Sequence, residues 1–130
     1  MSSLPHRFTI AVDGKHVAKP EQKSEGMFQA QSGDEPAIFE LKDDRLVSGE
    51  FALGRWIVED LTSQPKPIMW GKNDEDSRDL RPVTITEGAN GPEIKFYDST
   101  GVVIHDGKLF AITARGTEEG QSVEIRASEN

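Results

Sequence analysis

The chain has 130 residues, no cysteine and a formal net charge of −8, with 23 acidic side chains against 15 basic ones. That length fits one domain, 1–130, with enough core to fold without disulfides or metal. The missing cysteines exclude a disulfide scaffold, a cysteine-based zinc site and a cysteine nucleophile, and the acidity argues against nucleic acid as a partner, because phosphates repel such a surface on average.

In chain order, Met1-Ser2-Ser3-Leu4-Pro5-His6-Arg7 carries no apolar stretch of signal-peptide length, and no later segment has the apolar length of a membrane span. The expectation is a soluble, cytoplasmic chain, or one exported without a classical leader, with no membrane partner. Residues 7–12 alternate through Phe8, Ile10 and Val12 and predict a strand that returns through 15–18 across Asp13-Gly14. Asp-Gly between alternating runs favours the two-residue hairpin turn, which requires positive φ. Residues 20–26 read as a polar loop and 27–30 as a short strand. Segments 37–42 and 46–53 follow, joined by Asp43-Asp44, a second copy of the signature with Asp in place of Gly.

Gly54 is expected to break that run, after which 55–59 places Trp56 and Val58 on one face and Ile57 on the other. Segment 62–67 holds Pro65 and Pro67 and is read as a loop rather than a central strand. Residues 68–70 are short and apolar, and 71–79 form an acidic loop. Residues 82–86 alternate through Val83 and Ile85, Asn90-Gly91 marks a turn into 94–97, and 98–101 turns again. The third copy, Asp106-Gly107, joins 102–104 to 109–114. After a turn at 116–121, residues 122–126 alternate through Val123 and Ile125. Gly107 is expected inside a tight turn, and Gly120 in a polar loop that tolerates substitution better.

No stretch shows helical apolar spacing over three turns. The expected fold is all-β, a compact antiparallel barrel of about a dozen short strands. A β-trefoil-like form is favoured, with a β-sandwich or another small closed barrel as the alternative. Residues 39–49 resemble the hairpin pattern common in trefoil repeats. The three Asp hairpins, however, do not fall at equal thirds of the chain.

For chemistry, the sequence contains no Gly-x-Ser-x-Gly, no His-Glu-x-x-His and no phosphate-binding glycine loop. Asp98, Ser99 and His105 are close in sequence, but Ser99 reads as a turn residue capping its own backbone. His6, His16 and His105 share no metal-ligand spacing. No catalytic residue, metal or cofactor is assigned. The loop from Asn73 to Asp79 gathers the oxygen ligands that calcium requires, yet lacks the glycine and terminal glutamate of an EF-hand, and Lys72 and Arg78 offset its charge. It is similar to the short calcium motif of βγ-crystallins, with Arg78 where a serine belongs, but that family's aromatic-glycine signature is absent and no site is carried over.

Trp70 immediately precedes this loop. An exposed indole beside amide and carboxylate groups is a common way to hold a sugar ring. The expected function is therefore a non-enzymatic, lectin-like carbohydrate-binding module using Trp70, Asn73, Asp74 and Asp76, with a glycan or protein ligand as partner. Trp70 and Trp56 serve equally well as core residues. One alternative is a protease inhibitor presenting Lys66 on the stiff loop Pro65-Lys66-Pro67, with Arg55 as a second choice for the presented cation. Another is a small barrel enzyme or isomerase with an internal pocket and Tyr97 or His105 as acid or base.

Overall fold

The computed structural model describes residues 6–20, 27–57, 64–73, 79–88, 91–97, 99–113 and 119–128. They form an all-β structure of twelve strands. The first four are β1 (Phe8–Val12), β2 (Lys15–His16), β3 (Phe28–Gln29) and β4 (Glu40–Lys42). Next come β5 (Arg45–Ser48), β6 (Phe51–Arg55), β7 (Lys66–Lys72) and β8 (Val83–Gly88). The last four are β9 (Gly91–Phe96), β10 (Gly101–His105), β11 (Lys108–Ile112) and β12 (Val123–Ala127). Among the described residues no helix is long and apolar enough to cross a membrane.

Each copy of the Asp signature closes a two-residue hairpin. Asp13 and Gly14 have φ of 52° and 77°, Asp43 and Asp44 of 50° and 62°, and Asp106 and Gly107 of 52° and 77°. Positive φ at both central residues gives a turn whose twist matches the flanking strands. Two segment boundaries differ from expectation. The run 46–53 breaks at Gly49, where φ is +61°, and not at Gly54. Gly54 lies inside β6, where a side chain would press on the Arg81 carbonyl at 3.1 Å. β7 also begins inside the expected proline loop. Pro67 is tolerated because the register of β6 on β7 stops at Ile68, so Pro67 pairs only with Phe110 of β11. The Asn90-Gly91 turn shifts by one position: Gly91 pairs with Gly88 and opens β9, while Asn90 lies outside the described residues.

Among the described residues the ladders form three sheets and no closed barrel. One sheet is β12-β1-β2, one runs β10-β11-β7-β6-β5-β4 with β3 on β7, and one is the β8-β9 hairpin. Shorter links join them. Phe8 and Phe39 exchange both backbone hydrogen bonds, at 3.0 and 2.7 Å, tying β1 to the start of β4. Val83 N–H donates to the Asp44 carbonyl at 2.8 Å, tying β8 to the turn before β5. β12 lies against β9. Strands β3, β7 and β11 meet as a triangle: Phe28 pairs with Trp70, Phe110 with Pro67 and Gln31 with Lys108.

A single core fills the space between the sheets, drawing Phe8, Ile10 and Val12 from β1, Leu46 from β5, Ile68 and Trp70 from β7, Val83 from β8 and Leu109 from β11. Its centre is a run of rings. Phe8 stacks on Phe39 at 6.2 Å and Phe39 on Trp70 at 5.6 Å. Phe51 meets Trp70 edge-on at 6.4 Å, and Phe28 meets Phe51 edge-on at 5.8 Å. Each such pair adds about 0.5–1.5 kcal/mol beyond the area it buries.

Candidate functional site

The ring run settles the position of Trp70. The side chain is 1% exposed, and Phe39 and Phe51 cover it. Stacking a sugar requires an open indole face, so Trp70 belongs to the core and not to a binding surface. Asn73 directs its N–H to the Glu50 carbonyl at 2.8 Å as β7 ends. Asp74 and Asp76 lie outside the described residues. Among the described residues no cluster of three His, Asp or Glu side chains could hold a metal ion.

The inhibitor loop is also redrawn. Lys66 is 4% exposed, within β7 and opposite Ala111, so it cannot be offered to a protease from a loop apex. Pro65 is half-buried and Pro67 is exposed within the strand. Arg55, the other candidate cation, is buried at the end of β6. The acid–base candidates of the enzyme alternative, Tyr97 and His105, both sit on the surface, His105 against Phe110 at 5.9 Å. Ser99 is buried and caps its own turn, its Oγ accepting from Phe96 N–H at 3.0 Å.

The feature that stands out is the turn after β9. Ser99 N–H donates to the Phe96 carbonyl at 3.1 Å, which puts Tyr97 at the first corner of a tight turn with φ of +61°. Glycine or asparagine normally occupies such a corner, and a bulky side chain there costs about 1–3 kcal/mol. Tyr97 is nevertheless 44% exposed. Phe96, which ends β9, is buried, and Tyr97 at the corner that follows is exposed.

Two guanidinium groups converge on that ring. The Arg81 Cζ lies 4.5 Å from its centroid and the Arg55 Cζ 5.8 Å. A short antiparallel bridge between Trp56 and Leu80 places them there. In that bridge Arg81 N–H donates to the Arg55 carbonyl at 2.7 Å and Ile57 N–H to the Asp79 carbonyl at 2.9 Å. Arg55 and Arg81 are thus opposite each other on one face, and Trp56, 40% exposed, is on the other. Tyr97 is locked to the same segment by its N–H, which donates to the Pro82 carbonyl at 3.1 Å. Arg55 Nη1 donates to the Phe96 carbonyl at 3.1 Å, bracing the turn from inside. Arg81 Nε is sealed from solvent and finds no acceptor among the described residues.

A concavity of about 630 Å³ lies elsewhere, lined by Arg7, Lys19, Glu40 and Lys42, with Ile38, Val47 and Phe51 as its apolar residues. Glu40 accepts from Arg7 Nε and Lys42 Nζ, both at 3.0 Å, with His6 at 3.8 Å. Lys42 and then Arg7 hold the Glu40 carboxyl below the ordinary carboxylate range.

No protein-family model matches the chain, and no curated protein or solved structure matches it either. The site reading therefore rests on geometry alone. Alternation along 94–97 was available in the sequence as a signal for an outward Tyr97. The approach of Arg55 and Arg81 depends on pairing between distant segments and leaves no local pattern.

Proposed function

We propose that this protein is a non-enzymatic carbohydrate-binding module, and that its site is the edge formed by Tyr97 and Arg81, with the buried Arg55 bracing the turn beneath it. The observation that carries the reading is Tyr97 itself: an exposed aromatic ring held at a strained turn corner, φ +61°, and buttressed by Arg81 at 4.5 Å. Strain of this kind persists where the surroundings over-determine it, and it concentrates at ligand-binding positions. A rigid, part-exposed ring offers its free surface to the apolar face of a pyranose, and the flanking donors suit its hydroxyls. Little ordering cost is left for binding, since the ring is already held in place.

The pairing supports a trefoil-like arrangement for the scaffold. The twelve strands fall into three successive groups of four. β1 pairs with β12, β4 with β5 and β8 with β9, Phe8 pairs with Phe39 beside β4, contacts outside the ladders join β5 to β8 and β9 to β12, and β3, β7 and β11 form a triangular cap. In that arrangement the Tyr97 turn joins the first two strands of the third group.

The test is a glycan array with the native chain and Tyr97→Ala. Binding to a defined set of glycans that Tyr97→Ala abolishes, with an unchanged melting temperature, is the expected result. Binding that survives Tyr97→Ala would move the site elsewhere.

A further inference from the structure

Resting on that reading, we infer that the Tyr97 site selects acidic sugars, with Arg81 taking a carboxylate or sulfate group of the glycan. The chain is strongly acidic, with 23 carboxylate side chains, and some of the described cations are held by carboxylates. Arg7 and Lys42 share Glu40, each at 3.0 Å, and Arg126 pairs with Glu124 at 2.7 Å. Arg81 departs from this pattern. It packs on a phenol ring at 4.5 Å, no carboxylate among the described residues pairs with it, and its nearest cross-strand neighbour is another arginine. Like charges placed opposite in an antiparallel pair are destabilising unless something offsets them.

The geometry of Arg81 favours an oxyanion as a ligand. The Arg81 Cζ lies 4.5 Å from the ring centroid, and a guanidinium carries its donors in one plane, where they match the two oxygens of a carboxylate or sulfate. Arg55 Nη1 is engaged with the Phe96 carbonyl at 3.1 Å and acts as a brace. Arg81 Nε is sealed from solvent, so an external ligand meets the guanidinium through its other donors. A glycan lying on Tyr97 would exclude water from the outer edge of Arg81 and strengthen an ionic hydrogen bond there. In the groove around Glu40, by contrast, Arg7 and Lys42 already share a carboxylate.

The experiment measures affinities of the native protein for three oligosaccharides that share one backbone: neutral, carboxylated and sulfated. At least one acidic form is expected to bind about tenfold or more tightly than the neutral form, and the two acidic arms decide between carboxylate and sulfate. Arg81→Gln should remove that preference, Arg81→Lys should restore part of it, and Lys42→Gln, which removes an equal charge from the groove, should leave it intact. Equal affinity for neutral and acidic forms, lost in Tyr97→Ala, would overturn the charge selection while leaving the sugar site standing. An acidic preference unaffected by Arg81→Gln but lost in Lys42→Gln would overturn the assignment to Arg81. Failure of all three oligosaccharides to bind would overturn both readings. The native-protein comparison stands even if an Arg81 variant does not fold.

Discussion

The rings of Phe39 and Trp70 lie 1° from parallel with their centroids 5.6 Å apart. One residue precedes β4 and the other belongs to β7, so a single stacked pair fastens two distant parts of the chain. Trp70→Ala should remove about 3–5 kcal/mol of stability, the ordinary cost of emptying a large aromatic site in a packed core. Chemical denaturation checks this. A loss below about 1 kcal/mol would mean that the rings around Trp70 contribute little.

Tyr97→Gly should separate stability from binding. Glycine accepts φ of +61° without strain, which offsets the loss of the Arg81 contact, itself worth about 0.5–1 kcal/mol. The expected melting temperature is equal to or above that of the native protein, with sugar binding lost. A fall of many degrees would show that the tyrosine is there to hold the fold.

Gly107→Val should cost roughly 1–2 kcal/mol, because a β-branched residue is strained in the left-handed region at φ +77°. The expectation that Gly120 is more tolerant does not survive the structure. A side chain at Gly120 would meet the Gly101 Cα at 3.0 Å and the Val102 backbone nitrogen at 3.2 Å. Gly120→Val should therefore be at least as damaging as Gly107→Val, as overpacking costs about 1–3 kcal/mol or more. Thermal melts of the two variants side by side decide the order.

Stability near Glu40 should depend on pH in one direction. Its carboxyl titrates lower in the folded chain than in the unfolded one, chiefly because of Lys42 and then Arg7. The unfolded chain then binds more protons, so this contribution is complete above the ordinary glutamate range, near pH 4–5, and fades as pH falls through the lowered folded value. Glu40→Gln should lower the melting temperature slightly at pH 7 and leave it unchanged at the acid end. A larger difference in acid than at neutral pH would contradict the pairing.

The sequence carried the fold class because its signals are local. Asp13-Gly14, Asp43-Asp44 and Asp106-Gly107 announce their turns by residue type alone, and all three adopt the positive φ that such turns require. The same signature gave no register for the whole, since its copies occupy different places: between β1 and β2, between β4 and β5, and between β10 and β11. The site was less legible. Trp70 has the composition of a sugar-stacking residue, and only the distant Phe39 and Phe51 reveal that its faces are covered. Lys66 looked like a loop apex because the prolines beside it suggested an unpaired segment. β11 supplies a pairing partner that accepts a proline there. Arg55 and Arg81 are separated by two expected loops, so their meeting on Tyr97 is a property of the tertiary structure.

The close approach of Gly101 and Gly120 has a bearing on solubility. It brings Gln121 alongside β10, where its N–H donates to the Val102 carbonyl at 2.8 Å and its side-chain Oε1 accepts from Ile104 N–H at 2.8 Å. β10 ends the longest sheet, and bare strand edges are templates on which other chains add. One extended residue, admitted by two glycines, occupies the hydrogen-bonding groups that a neighbouring molecule would otherwise recruit. A variant that pushes this segment away should betray itself first by concentration-dependent precipitation, before any loss of secondary structure.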